Sequence, residues 1–276
     1  MLALFRFFAL WPMWLLHAGG AVIGWLAYFL SPTYRRRIHT HTQLAGYDNS
    51  VVREAIAQAG KMVAELPRVW LGKSAPIFWG NTACVDEAYQ SGKGVVFLTL
   101  HMGCFEAVGQ GLAQRYAAQY GPLTALYRPA RQPSLAKIVE LSRQRPGLET
   151  APTTLAGVRK MMKALRSGKA ICLLPDQVPP QDLGIWSPFF GKDAYTMTLA
   201  ARLVASSDAV PLLCWGERLS GARGFRLHFS PLSKTLPSDL PSAVAQINSE
   251  LEAIIAQMPG QYLWGYGRYK TPRPAA

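Results

Sequence analysis

Acidic side chains are scarce in this chain. Sixteen Asp and Glu stand against 29 Lys and Arg in 276 residues, a formal net charge of +13 with the histidines neutral. Such an excess calls for an acidic partner: nucleic acid, an anionic membrane, or a phosphorylated or acidic substrate. Nucleic acid is the least suited of these, because the basic residues are dispersed and lack the interleaved stacking aromatics of a strand-borne binding motif. Cysteine is sparse too. Cys84, Cys104, Cys172 and Cys214 form no Cys-x-x-Cys pair, which argues against a zinc or disulfide framework and for reduced thiols in a cytosol-facing domain. Internal repeats, low-complexity tracts and linkers are missing after about residue 45, so the remainder reads as one large domain. Only 16% of residues are charged and 50% are apolar, enough for a sizeable core.

One stretch without charge is long. Phe7 to Leu30 has no charged residue, carries Trp11, Trp14, Trp25 and Tyr28, and is followed by Arg35-Arg36-Arg37. Its length suits a bilayer span, its aromatics an interface, and its arginines the cytoplasmic side. Pro12, His17 and Gly19-Gly20 interrupt a straight span and keep an in-plane anchor open. A cleaved signal peptide is disfavoured by the lack of a clean small-residue cleavage pattern. The expected organisation is a hydrophobic membrane anchor with a basic juxtamembrane segment over 1–44 and a catalytic domain over 45–276.

The domain is organised around Gly94 to Glu106. Val95 to Leu100 is apolar without alternation, as in a strand buried on both faces. Gly103 onward has helical spacing through Phe105, Val108, Leu112 and Tyr116. Further helices are expected over Ser50–Leu66 (stopped by Pro67), Ser134–Arg145, Thr153–Arg166, Thr196–Ser206 and Leu240–Gln257. Strands are expected over Pro122–Tyr127, Ala170–Leu174, Val210–Trp215 and Phe225–Phe229, the last able to pair with its predecessor. This alternation predicts an α/β fold: a mixed, largely parallel sheet flanked by helices, preceded by the N-terminal hydrophobic membrane-anchor helix.

His101 then lies at the carboxyl end of a strand, where open α/β sheets bind ligands. A neutral imidazole serves as general base near pH 7 if one nitrogen is held by an acceptor and the other is open to substrate. Glu106, five residues on in the first helical turn, could fold back onto the ring as the third member of a triad does. No nearby serine is an obvious nucleophile, so the attacking hydroxyl could belong to the substrate. The plainer reading is a strand-end histidine beside a carboxylate that favours the helix N-terminus. Tyr127-Arg128-Pro129 and Pro175-Asp176-Gln177 also follow predicted strands, and Arg143 lies near a predicted helix end. Together they form a candidate electropositive slot for phosphate or an oxyanion. Singly, they read as a loop charge, a turn residue and a last-turn cation.

The ordered set of His101 with Glu106, Tyr127-Arg128-Pro129, Arg143, Pro175-Asp176-Gln177, Pro188-Phe189-Phe190-Gly191, Arg218 and Trp264 to Thr271 resembles the bacterial lipid A (Kdo2-lipid IVA) late acyltransferases, within the lysophospholipid acyltransferase superfamily. Pro175-Asp176-Gln177 stands where the glycerophosphate branch carries Phe-Pro-Glu-Gly-Thr-Arg, which favours the lipid A branch. The resemblance implies an inner-membrane enzyme with its catalytic domain on the cytoplasmic face. It would move a fatty acyl chain from acyl carrier protein, or from CoA, to a hydroxyl of an anionic lipid acceptor, with no metal or bound cofactor. His101 looks like the general base and Glu106 its partner. Arg143 and Arg128 would serve phosphate or the oxyanion, and Asp176 would position that arginine or the acceptor. A covalent variant would place the acyl group on Cys104. Met-Gly-Cys-Phe inside the histidine motif and the closing Trp264-Gly265-Tyr266-Gly267 without histidine depart from the family pattern and leave the acceptor open: lysophospholipids, ornithine lipids and other glycolipids are alternatives, and a non-catalytic membrane-anchored protein that binds lipid or acyl carrier protein is the competing reading.

Overall fold

The computed structural model describes residues 2–73, 75–127, 138–139 and 145–274. Four helices open the chain: α1 (Leu2–Ala9), α2 (Met13–Leu30), α3 (Pro32–Leu44) and α4 (Asn49–Leu71). Each of the last two begins at a polar cap. Ser31 Oγ accepts from Tyr34 N before α3, and Asp48 accepts from Ser50 N and Val51 N before α4, satisfying amide donors that a helix start leaves open. By length and composition α2 can cross a membrane. It lies along α4 through its small residues. A Cβ on Gly60 would stand 1.9 Å from the Gly20 carbonyl oxygen, so the two backbones meet where side chains are absent. Trp14, Val22, Ile23, Leu26 and Phe29 of α2 remain exposed.

Pro67 does not end α4, as the sequence pattern predicts; the helix continues to Leu71. A proline removes one helical hydrogen bond, but here the final turn has tertiary partners. Val69 is buried, Arg68 reaches the carbonyls of Ala9 and Trp11, and Arg145 Nη2 donates to the carbonyls of Val69 and Trp70 at 2.7 Å each. Those carbonyls are among the acceptors a helix C-terminus leaves unmatched.

Among the described residues the strands are β1 (Ile77–Trp79), β2 (Val95–Leu98), β3 (Leu123–Tyr127), β4 (Leu148–Pro152), β5 (Ala170–Leu173), β6 (Gly184–Phe189), β7 (Lys192–Met197), β8 (Val210–Arg218) and β9 (Phe225–Pro231). Seven form one sheet, ordered β1-β9-β8-β2-β5-β3-β4. All pairs are parallel except β8 with β9, so the sheet is mixed and largely parallel, as expected. The remaining described helices are α5 (Ala83–Gln90), α6 (Phe105–Tyr120), α7 (Leu155–Arg166), α8 (Leu199–Ala205) and α9 (Leu240–Gln257). Side chains of a strand alternate between faces, and β2 feeds two cores. Val96 and Leu98 join Met161 of α7 and Val244, Ile247 and Leu251 of α9. Val95 and Phe97 join Val85 and Tyr89 of α5 and Val108 and Leu112 of α6. Burial on both faces is why this strand reads as a continuous apolar run.

The helix expected over 196–206 is shorter, because Thr196 and Met197 complete the hairpin β6–β7. Its turn residues Phe190 and Gly191 both have positive φ, 48° and 73°, the requirement of a tight two-residue hairpin. Phe190 N is held by Glu252 Oε1 at 2.7 Å. Thr196 is buried and its hydroxyl accepts from Arg268 Nη2 at 2.6 Å, a tertiary bond that no local pattern announces. The helix expected over Ser134–Arg145 falls largely outside the described residues.

Candidate active site

Parallel register builds the site. Leu98 of β2 pairs with Leu173 of β5. Each strand continues for three residues to a polar group, His101 on one and Asp176 on the other, so equal offsets bring the two side chains together at the carboxyl edge. His101 Nδ1 lies 2.8 Å from Asp176 Oδ1, and the His101 backbone N–H donates to Asp176 Oδ2 at 3.0 Å. Both carboxylate oxygens are thereby engaged by one residue, fixing ring and main chain together. Asp176 is 2% exposed, while the His101 side chain keeps 20% of its surface open. Burial pushes the Asp176 carboxyl up, but the His101 charge, both hydrogen bonds and the charge of Arg268 outweigh it and hold the group below the usual carboxylate range. An ionised Asp176 accepts the Nδ1–H hydrogen bond, which keeps the ring proton on Nδ1 and leaves the Nε2 lone pair open.

The carboxylate on Nδ1 is therefore Asp176, where the sequence reading placed Glu106. Met102 to Cys104 do not continue directly into a helix. Met102 bridges to Tyr262 and Gly103 to Gly216, and α6 starts only at Phe105. The residue of that first turn that meets the imidazole is Phe105, with ring centroids 4.9 Å apart. Glu106 is buried in the same turn, and its charge acts on Arg145. Arg128 and Arg143 lie outside the described residues.

The loop carrying His101 is stitched down by the chain's closing segment. His101 O accepts from Leu263 N at 3.1 Å, and Gly103 N donates to Gln261 O at 3.0 Å. Tyr266 hydroxyl accepts from Val178 N at 2.9 Å, holding the segment after Asp176. Gly103 has φ +53°, and a Cβ there would sit 1.9 Å from the Gly216 carbonyl oxygen, so glycine is required by both conformation and space.

Behind this loop is a buried network that sequence reading missed. Arg218, 3% exposed, donates through Nε and Nη2 to Glu65 at 2.8 and 2.6 Å. It also donates to Gln58 Oε1 and to the Gly103 carbonyl at 2.8 Å each. His17 of α2 meets Glu65 Oε2 at 3.0 Å. The network runs from the apolar helix, through α4, to the residue two places after His101. Its members are 48 and 153 residues apart in sequence, and the local signals were a histidine inside an otherwise uncharged segment and Arg218 in the ordered motif set. Cys104 is buried, and desolvation, with the Glu65 charge, pushes its thiol well above the ordinary range, an environment that disfavours the thiolate a covalent mechanism needs. Among the described residues no three His, Cys, Asp or Glu side chains converge as a metal site would require.

A mixed, largely parallel sheet with a carboxylate-held histidine at its carboxyl edge is a frame in which an imidazole can activate a hydroxyl or water. Residues 45–271 match the bacterial lipid A biosynthesis acyltransferase model, and the chain belongs to that family; it is an acyltransferase. It is 25% identical over 228 residues to the lipid A biosynthesis palmitoleoyltransferase of Escherichia coli K12, covering 80% of this chain and 72% of the relative. The E. coli K12 lipid A biosynthesis myristoyltransferase is 24% identical over 269 residues, 92% of this chain and 80% of the relative. A phosphatidylinositol mannoside acyltransferase of Mycolicibacterium smegmatis is 25% identical over 182 residues, 64% of this chain and 57% of the relative.

Proposed function

We propose that this acyltransferase moves a fatty acyl chain from acyl carrier protein to a hydroxyl of a lipid A precursor or related glycolipid, at the cytoplasmic face of the inner membrane. The supporting observation is the 2.8 Å bond between His101 Nδ1 and Asp176, which leaves Nε2 to act on the acceptor. In this reading Nε2 removes the hydroxyl proton, and the oxygen attacks the thioester carbonyl. Asp176 stabilises the imidazolium. Collapse of the tetrahedral intermediate breaks the C–S bond, and His101 returns the proton to the departing thiol. Backbone N–H groups at the start of α6, together with Arg143, serve the oxyanion, and Arg128 serves an acceptor phosphate. Glu106 is assigned to the field around the dyad, through its charge on Arg145, rather than to the ring. The reaction as written needs no metal or bound organic cofactor.

An acidic carrier and a phosphorylated lipid both suit a chain of net charge +13. The apolar face of α2 supports a membrane-held acceptor. A second acceptor class, a glycolipid built on phosphatidylinositol, is favoured by the similarity to the mannoside acyltransferase.

The test is turnover by the purified full chain in neutral detergent, supplied with acyl carrier protein thioester and a phosphorylated disaccharide lipid, with products read by mass spectrometry. His101→Ala should retain its fold and lose about 10²- to 10⁴-fold in kcat. Near-normal turnover in that variant would end the general-base assignment.

A further inference from the structure

A cleft of about 680 Å³ opens between α2, α4 and the turn joining β8 to β9, within the range of small-molecule sites. His101 is not among its lining residues; Arg218, which grips the loop after His101, forms part of its wall. Trp14, Ala18 and Ala21 of the apolar helix form another side, and Lys61 and Arg223 contribute cations. We propose that this cleft binds the phosphate-bearing headgroup of a membrane lipid, against the anchor helix and behind the catalytic loop.

The charges in the cleft are not self-compensated. Arg218 is committed to Glu65, Gln58 and the Gly103 carbonyl. Glu217 is taken by His228 at 2.9 Å and by Arg226 at 3.7 Å. That leaves Lys61 and Arg223 facing only Glu54 among the lining carboxylates. Arg223 spends Nε and Nη2 on Ser220 of its own turn, and the Lys61 ammonium has no hydrogen bond or ion pair among the described residues. Burial and the nearby Arg218 charge both push the Lys61 amine below its ordinary range, against smaller contributions from Glu54 and Glu65. A bound phosphate would reverse that penalty through charge-assisted hydrogen bonds.

Position selects a lipid as the source. At 100° per residue, Trp14, Ala18 and Ala21 form one stripe of α2, and the neighbouring stripe holds the exposed Val22, Leu26 and Phe29. Headgroup cleft and chain-accepting surface are thus contiguous on one helix. The choice of a lipid over free phosphate rests on the membrane reading above; the anion site itself does not.

The experiment titrates short-chain phosphatidic acid, below its micelle threshold, into the full chain in neutral detergent and follows binding by calorimetry. Lys61→Gln/Arg223→Gln should weaken binding about tenfold or more. Both side chains are partly or fully exposed, so the fold should survive. Lys163→Gln/Arg166→Gln on α7 removes equal charge elsewhere and should leave binding unchanged. Equal losses in both variants, or no loss in either, would overturn the site. Inorganic phosphate binding as tightly as the lipid would overturn the lipid assignment. A matching rise in KM for a phosphorylated acceptor, but not for its dephosphorylated form, would make the acceptor itself the source; an unchanged KM would make it a bulk anionic lipid. Because calorimetry needs no turnover, a chain inactive with every acceptor would fail the proposed function and leave this site standing or falling by itself.

Discussion

Replacing Arg218 by Met should destabilise the protein severely, and in a pH-dependent way. Glu65 is 1% exposed and receives two of the four side-chain hydrogen bonds that Arg218 makes. Removing one partner of a buried pair costs roughly 3–5 kcal/mol because the other charge remains. Proton uptake limits this cost. With an unfolded pKa near 4.3, protonating Glu65 at pH 7 takes about 2.7 units at 1.36 kcal/mol each, or about 3.7 kcal/mol. The folded variant then holds a proton that the unfolded chain does not, so its stability rises relative to wild type as pH falls. Wild type behaves in the opposite sense. Burial raises the Glu65 carboxyl, but Arg218 and His17 hold it below its ordinary value, so its contribution is present above the unfolded pKa and lost as pH falls through the lower folded one. Urea unfolding in neutral detergent between pH 5 and 8 would measure the difference. It should be largest near pH 8 and shrink toward pH 5, and Glu65→Gln/Arg218→Met should lose less than Arg218→Met alone at pH 8. A loss under about 1 kcal/mol, or one independent of pH, would refute the view that Arg218 compensates a buried charge.

Other expectations concern the dyad and the anchor. Asp176→Asn removes the acceptor that fixes the His101 tautomer and should lower kcat by orders of magnitude, toward the 10⁴-fold seen when a triad carboxylate is made an amide, with the melting curve checked alongside. Because the folded Asp176 carboxyl lies below its ordinary value, its stabilising contribution should persist above about pH 4 and fade only as pH drops through the folded pKa; the difference between wild type and Asp176→Asn, measured against pH, reads this directly. Gly60→Val inserts a side chain where a Cβ already meets the Gly20 carbonyl at 1.9 Å. It should separate α2 from α4, exposing His17 to solvent exchange and lowering turnover without touching the dyad.

The sheet was legible because burial writes itself into composition. β2 and β5 are apolar without interruption since helices cover both faces, and α9 matched its expected bounds of 240–257 because a polar cap and a sustained apolar stripe mark it. What failed to show were elements whose reasons are distant. The continuation of α4 past Pro67 depends on Arg145, about 75 residues onward, and the hairpin over 184–197 depends on Arg268 and Asn248. His101 was legible as a strand-end polar group. Its partner was not, because Glu106 is near in sequence while Asp176 is 75 residues away.

By itself, the sequence determined the apolar first segment, the basic charge, the buried strands and the histidine at a strand end, all of which follow from local residue order. Tertiary structure decided which carboxylate reaches that histidine and how the apolar helix joins the loop after it. Both depend on parallel register and on close backbone approach between segments far apart in the chain, where the free energy lies in pairs that no local window contains.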